Sequence, residues 1–396
     1  MDHKPPNHLW DAGNVAELLR SQSRLQAAEQ IHRHVLAGYE QELGSTHPST
    51  LQTVNNLGAL YSDQGKLEQA KEYYLRALAG YEQELGPTHP STLDTVHNLG
   101  LLYFDQGNLV QAEKYYLRAL VAREQALGPT HPSTLLTVNN LGSLYKDQGN
   151  LEQAKEYYLR ALAGQEQELG PTHPSTLDTV HNLGLLYFDQ GNLVQAEKYY
   201  LRALVVREQA LGPTHPSTLL TVNNLGSLYK DQGNLVQAEK YYLRALVGKE
   251  QALGLTHQST LDTVNNLGVL YYNQGKLAQA EGMYRRALAG YEKNLLSKTI
   301  PALRTIVNLG LLFRDQGKAE EARAMFHRAL SGRQEVLGPD HSLTLQVARD
   351  LEGLRLGKEF EEKQVQNINA GDRSTGKEKE SRRGTVASAE EFENYA

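Results

Sequence analysis

The motif His-Pro-Ser-Thr begins at His89, His131, His173 and His215, 42 residues apart each time. Leu-Gly recurs in the same register at Leu57-Gly58, Leu99-Gly100, Leu141-Gly142, Leu183-Gly184, Leu225-Gly226, Leu267-Gly268 and Leu309-Gly310, without one insertion. A fixed period of this size predicts a solenoid, in which each unit buries its apolar face against its neighbours and no single central core exists. A second period lies on the first: Asp94, His97, Leu101 and Phe104 return 84 residues later as Asp178, His181, Leu185 and Phe188, the mark of a recent duplication of paired units.

Within one unit, Leu51, Val54, Leu57, Leu60 and Tyr61 fall on one face of a helix, helix A, which Gln64-Gly65 should end. A second stripe at Leu67, Ala70, Tyr74, Ala77, Leu78 and Leu85 predicts a longer helix B, closed by Gly86 and Pro87. A Gly inside a helix costs about 1 kcal/mol relative to Ala, so Gly58 implies a close approach between the two helices. Pro48 and its equivalents suit a first helical turn, with Thr46 or His47 near the N-cap.

The residues Leu57-Gly58, Tyr61, Ala70, Tyr74 and Ala77 make the pattern similar to the tetratricopeptide repeat, with Val54 in place of that family's first aromatic and Glu82 at the usual terminal Pro. The 42-residue length, L-G-P-x-H-P between units and N-N-L-G in helix A resemble the kinesin light chain branch of that family. The resemblance covers about residues 15–353. It implies an all-α, right-handed superhelical solenoid of antiparallel helix pairs. The expected organisation is an N-terminal extension and the start of a capping repeat in residues 1–14, eight units in 15–342 with the first degenerate, a capping helix in 343–356, and a disordered charged tail in 357–396. Glu352 at the Gly58 position and Arg355 at the Tyr61 position would stop further stacking.

Across the six A helices beginning at Thr50, Thr92, Thr134, Thr176, Thr218 and Thr260, variation is confined to positions 52, 55, 59 and 62 and their equivalents, plus Asn273. These are spaced on one helical face, as a reading surface on an invariant scaffold would be. In the tetratricopeptide family this face lines a concave groove that contacts extended peptides. The candidate groove residues are therefore Asp94, His97, Leu101 and Phe104; Leu136, Asn139 and Lys146; Asp178, His181, Leu185 and Phe188; and Lys230 and Tyr272. Beside them Asn56, Asn98, Asn140, Asn182, Asn224 and Asn266 could pair with a peptide backbone or bridge neighbouring A helices. Lys146 and Lys230 would favour acidic ligands. His97 and His181, if they touch a ligand, would make affinity change between about pH 6 and 7.5. The outer faces vary too, at Glu68/Val110, Lys71/Glu113 and Tyr81/Arg123, as drift would have it. The recurrent Asp63, Asp105, Asp147, Asp189 and Asp231 near the end of helix A could meet basic groups of a ligand or of an adjacent helix.

Composition narrows the function classes. The chain has no Cys, which excludes disulfides, thiolate zinc sites and cysteine nucleophiles. The His-Pro-Ser-Thr histidines lie a whole repeat apart, on the order of 10 Å, too far to share a metal. A net charge of −6 with Lys and Arg spread through every unit speaks against a nucleic-acid surface. No apolar run approaches a membrane span, and no secretory h-region is present, so a cytoplasmic location is expected. No phosphate-binding, zinc-protease, nucleophile-elbow or dinucleotide motif occurs. The chain is accordingly expected to be no enzyme, to need no cofactor or metal, and to bind a protein or peptide, with self-association a further expectation. Kinesin light chains use such a groove for cargo and adaptors. Near-identical tandem units also resemble the sensor arrays of NOD-like nucleotide-switch proteins, and a structural, self-associating scaffold is the third alternative.

Overall fold

The computed structural model describes residues 7–355; the expected charged tail, 357–396, lies outside them. Helices make up the described residues, in eight pairs joined by short turns. The first helices of the pairs are α1 (Asn7–Ser21), α3 (Pro48–Asp63), α5 (Pro90–Asp105), α7 (Pro132–Asp147), α9 (Pro174–Asp189), α11 (Pro216–Asp231), α13 (Gln258–Asn273) and α15 (Ile300–Asp315). The second helices are α2 (Leu25–Leu43), α4 (Leu67–Glu84), α6 (Leu109–Leu127), α8 (Leu151–Glu168), α10 (Leu193–Leu211), α12 (Leu235–Leu253), α14 (Leu277–Lys293) and α16 (Ala319–Leu337). Residues 342–355 are helical as well, and there Glu352 is exposed and paired with Arg355.

The recurrent sequence signals act as punctuation. His47 sits at the N-cap of α3 and its Nδ1 accepts the Ser49 amide at 3.1 Å, and Pro48 follows at the first helical turn, where a missing N–H costs nothing. The same His-to-Ser bond opens α5, α7, α9 and α13, which gives the repeated histidines a capping role. At the far end of α3, Gly65 takes φ +72°, the Gly65 amide donates to Ser62 and the Lys66 amide to Tyr61, a Schellman closure that turns the chain into α4.

Leu51, Val54, Leu57, Leu60 and Tyr61 are buried against Ala70, Tyr74, Ala77 and Leu78. A Cβ on Gly58 would lie 2.8 Å from the Tyr74 ring, so the glycine inside α3 exists to seat that ring. The first pair solves the same contact differently: Ala16 takes the glycine's place and His32, a smaller ring and 1 % exposed, takes the tyrosine's.

The fold divides into two compact units, Met1–Leu228 and Tyr229–Ala396, with the boundary inside α11. In the first unit, α3 touches α5 and α7 touches α9, while α2, α4, α6 and α8 each pack on the first helix of the following pair. Ion pairs tie successive second helices at invariant positions: Arg76 to Glu40, Arg118 to Glu82, Arg160 to Glu124 and Arg202 to Glu166. In the second unit, α13 through α16 enclose one apolar cluster built on Leu267, Leu270, Tyr284 and Phe326.

Candidate interaction surface

The variable face of the first helices is a composite, and part of it is spent on holding the repeats together. Asn55 Oδ1 accepts the Thr95 hydroxyl at 3.1 Å and the Asn98 amide at 3.4 Å from the next pair. Asn139 does the same with Thr179 at 3.0 Å and Asn182 at 3.2 Å, and in the second unit Asn265 does so with Thr305 and Asn308, both at 3.1 Å. At His97 an imidazole replaces the carboxamide. The Asn140 amide donates to Nε2 at 3.2 Å and Nδ1 lies 3.3 Å from Thr137 Oγ1, a partner set that suits a neutral ring protonated on Nδ1. His181 repeats the bond with Asn224 at 3.2 Å.

This geometry corrects the expectation for the two histidines. They are buried, 3 % and 6 % exposed, and burial, helped by the charges of Arg123 and Arg207, pushes their pKa down to about 3. Neither can titrate between pH 6 and 7.5. The amides of Asn98, Asn140, Asn182 and Asn224 are likewise committed to the helix-to-helix bridge, while Asn56 uses its carbonyl to accept from Gln52 at 2.8 Å. Asn266 is half-buried on α13.

A second correction concerns Tyr81 and its equivalents. These positions are buried rather than on the outer face, and Tyr81, Arg123, Arg207 and Tyr291 each reach the variable residue at the start of their own first helix. Arg123, 2 % exposed, donates to Asp94 at 2.5 Å, to the Ser133 carbonyl at 2.9 Å and to Thr137 Oγ1 at 2.6 Å. Arg207 repeats this with Asp178 at 2.7 Å, Ser217 and Thr221. Where Leu136 replaces the aspartate, a neutral Gln165 replaces the arginine and its Oε1 lies 2.7 Å from Thr179 Oγ1. Tyr81 reaches Gln52 at 3.4 Å, and Tyr291 donates to Asp262 at 2.8 Å. Lys249, 2 % exposed, donates to the Ser259 carbonyl at 3.1 Å and Thr263 Oγ1 at 2.9 Å, and burial lowers its pKa to about 8. The signal was present in the spacing, since Tyr74, Leu78 and Tyr81 share one helical stripe; the polar residue types in that place hid it.

What remains accessible is narrower than the sequence suggested. Leu101 (37 % exposed) and Leu136 (42 %) are open, Asp94 and Asp178 are exposed at their outer oxygens, and Phe104, Leu185, Phe188 and Tyr272 are half-buried. Phe104 leans on the core formed by Val138, Leu141 and Tyr145. Lys146 lies 3.1 Å from Asp147 and 3.7 Å from Asp189, and Lys230 lies 2.9 Å from Asp231, so neither ammonium is free to select acidic ligands. Arg20 similarly meets Asp63 at 2.6 Å, and Tyr272 donates to Asp315. Asp105 has no ion-pair partner among the described residues, and burial raises its pKa.

Between α3, α5 and α7 the surface dips into a polar recess of about 300 Å³ bordered by Asn55, Asp94, His97, Asn98 and Arg123. Among the described residues, no cluster of three metal-ligating side chains occurs and no helix is long and apolar enough to cross a membrane.

Comparison with protein families matches the tetratricopeptide repeat over residues 9–83, 53–120, 91–167, 136–192, 175–246 and 218–293, and again over 302–343. The chain belongs to the tetratricopeptide repeat family. Solved structures resemble it over long stretches. A Rap protein in complex with competence and sporulation factor aligns at 13 % identity, covering 89 % of this chain and 99 % of that one, with a TM-score of 0.58. A tetratricopeptide repeat protein from Parabacteroides merdae aligns at 22 % identity over 77 % and 98 % of the two chains, TM-score 0.50. A Podosopora anserina protein provisionally called a kinesin light chain, with nearly identical TPR-like repeats, aligns at 25 % identity over 53 % and 98 %, TM-score 0.44. The search of curated proteins found no match. The shared feature is a tetratricopeptide scaffold typical of protein–protein interaction.

Proposed function

We propose that this chain is a non-catalytic recognition module that holds an extended peptide, or an extended segment of a partner protein, along its first helices. The observation that carries this reading is the residue set left over once the repeat junctions are accounted for. Positions 101 and 104, 143 and 146, and 185 and 188 take no part in the carboxamide and imidazole bridges between first helices, yet they alternate between Leu/Phe and Ser/Lys. Neighbouring first helices stand on the order of 10 Å apart, so the two Leu/Phe pairs lie about 20 Å apart and match apolar side chains about six residues apart on an extended strand.

The charged edge favours basic companions to those anchors. In the first unit Asp63, Asp105, Asp147 and Asp189 face only Arg20 and Lys146, and a ligand Lys or Arg would relieve the cost that burial imposes on Asp105. Cargo or adaptor binding of the kinesin light chain type is the specific role this fits.

The test is a peptide display selection against the full chain, run in parallel on a variant with Leu101, Phe104, Leu185 and Phe188 changed to Ser. A common motif with two apolar anchors, enriched on the parent and lost on the variant, is expected. No enrichment on a parent that keeps its helical circular dichroism would overturn the reading. Exposed Val110 and Val194, 75 % and 74 % open on α6 and α10, favour self-association as the second reading, and light scattering that shows concentration-dependent oligomers without ligand would support it.

A further inference from the structure

The bridge between consecutive first helices has one missing member. At Asn55, His97 and Asn139 a side chain reaches to the threonine and asparagine of the next pair, but the equivalent residue on α1 is Gly13. The two groups it would have served are on α3. Thr53 Oγ1 keeps only its bond to the Ser49 carbonyl at 3.1 Å, and the Asn56 amide donates to nothing among the described residues. A Cβ on Gly13 would meet nothing within 4 Å.

The gap belongs to a cavity of about 430 Å³, larger than the recess of about 300 Å³ at the next junction, where His97 is in place. Its wall includes Trp10, Asn14, His32, Tyr39, Thr53 and Asn56. His32 is 1 % exposed and its Nε2 meets Glu17 at 2.9 Å, while its Nδ1 is buried without a hydrogen-bond partner. Buried polar atoms left unpaired are rare and costly, and the ring that carries this one is part of the same cavity wall as Asn56. Glu17, also on the wall, disfavours an anionic occupant. The side of the cavity formed by Trp10, Leu9 and Val35 is apolar.

We propose that this cavity is a binding site for a primary carboxamide carried on a short apolar stem, the chemistry of an Asn or Gln side chain. The ligand's carbonyl takes the place that Asn55 Oδ1 and Asn139 Oδ1 occupy at later junctions, accepting from the Asn56 amide, its NH2 donates to the Glu17 carboxylate on the same wall, and its stem lies against Trp10. The chain thus builds at its own junctions a template of what it binds at the vacant one. The natural occupant, an Asn or Gln of a partner segment lying on the first helices, rests on the proposed function; the site itself does not.

Trp10 is the sole tryptophan of the sequence and lines the cavity, so its emission reports on occupancy. The full chain is titrated with propionamide, with butanone, which lacks the amide donor, and with propionate. Saturable change with propionamide is expected, about tenfold weaker with the other two because each lost or mismatched hydrogen bond forfeits up to about that factor. Gly13→Asn, which supplies the missing side chain, should abolish the response and raise the melting temperature by a few degrees. Asn56→Ala should weaken propionamide about fivefold in a fold that needs no new contact. Equal responses to propionamide and butanone, a response that survives in both variants, or no response at molar propionamide would each overturn the proposal. A failed peptide selection with a normal propionamide response would sink the groove reading alone.

Discussion

Replacing Asp94 with Leu should destabilise the first unit, and the chain itself contains the substitutions that undo the damage. Arg123 is 2 % exposed and loses its only carboxylate in that variant, retaining the Ser133 carbonyl and Thr137 hydroxyl. Breaking a fully buried ion pair costs about 3–5 kcal/mol. The Asp94 side chain is 62 % exposed, so water screens the pair and the expected cost falls to about 1–2 kcal/mol. Arg123→Gln alone leaves Asp94 in solvent and should cost less, about 1 kcal/mol. The combination Asp94→Leu, His97→Asn and Arg123→Gln recreates the set Leu136, Asn139 and Gln165 that the following repeat already uses, and should return to within about 0.5 kcal/mol of the parent. Global melting of a repeat array need not be two-state, so the assay is native-state hydrogen exchange at the amides of α5 and α7. There a loss of about 1–2 kcal/mol appears as a five- to thirtyfold faster exchange. Additive effects, with the triple variant as exchange-prone as the sum of its parts, would refute the idea that these three positions form one compensating set.

Gly100→Ala should lose about 1–3 kcal/mol, read as a lower urea midpoint, because its Cβ would fall 2.6 Å from the Tyr116 ring; a midpoint equal to the parent's would show the ring free to yield. His97 and His181 should show no shift of their ring resonances in NMR spectra between pH 5 and 8. Their folded pKa lies below the unfolded value near 6.5, so the unfolded chain takes up protons first, and the stability they carry is lost as pH falls from about 6.5 toward 3. Lys249 follows the same sign at higher pH: its folded pKa of about 8 lies below the ordinary 10.5, the unfolded chain holds the proton longer, and stability should rise from pH 8 to 10.5. Lys249→Gln, which copies Gln165, should abolish that rise in urea titrations at pH 7, 9 and 10; a rise unchanged in the variant would assign it to another group.

The helix pairs were legible because their signals are local: proline and histidine at one end, Gln-Gly at the other, and apolar spacing between. The close approach at Gly58 followed from a glycine no helix would otherwise hold. The recognition surface was harder to see, because one helical face serves two purposes. Positions 94 and 97 vary with the same period as 101 and 104, and nothing in the spacing says that the first two answer Arg123 and Thr137 while the others face outward. Arg123, and with it Gln165 and Lys249 at the equivalent positions, is hidden from sequence reading for a related reason, since long polar side chains are ordinarily found in solvent. The three reach Thr137, Thr179 and Thr263, each 14 residues ahead in the next repeat, and Arg123 also reaches Asp94, 29 residues back, pairings that no pattern of residue types reveals.

The junctions in the first unit also have a directional division of labour. Arg123 meets its variable partner, Asp94, inside its own repeat and only invariant groups, the Ser133 carbonyl and the Thr137 hydroxyl, in the repeat that follows. His97 likewise reaches forward to Thr137 and Asn140, and Arg118 reaches back to Glu82, all residues that recur in every such unit. Any of the internal repeats can therefore precede any other with these bonds intact. Unequal recombination can then lengthen, shorten or reorder the array in a single event, and recognition can change in copy number and order without a stage at which the protein fails to fold.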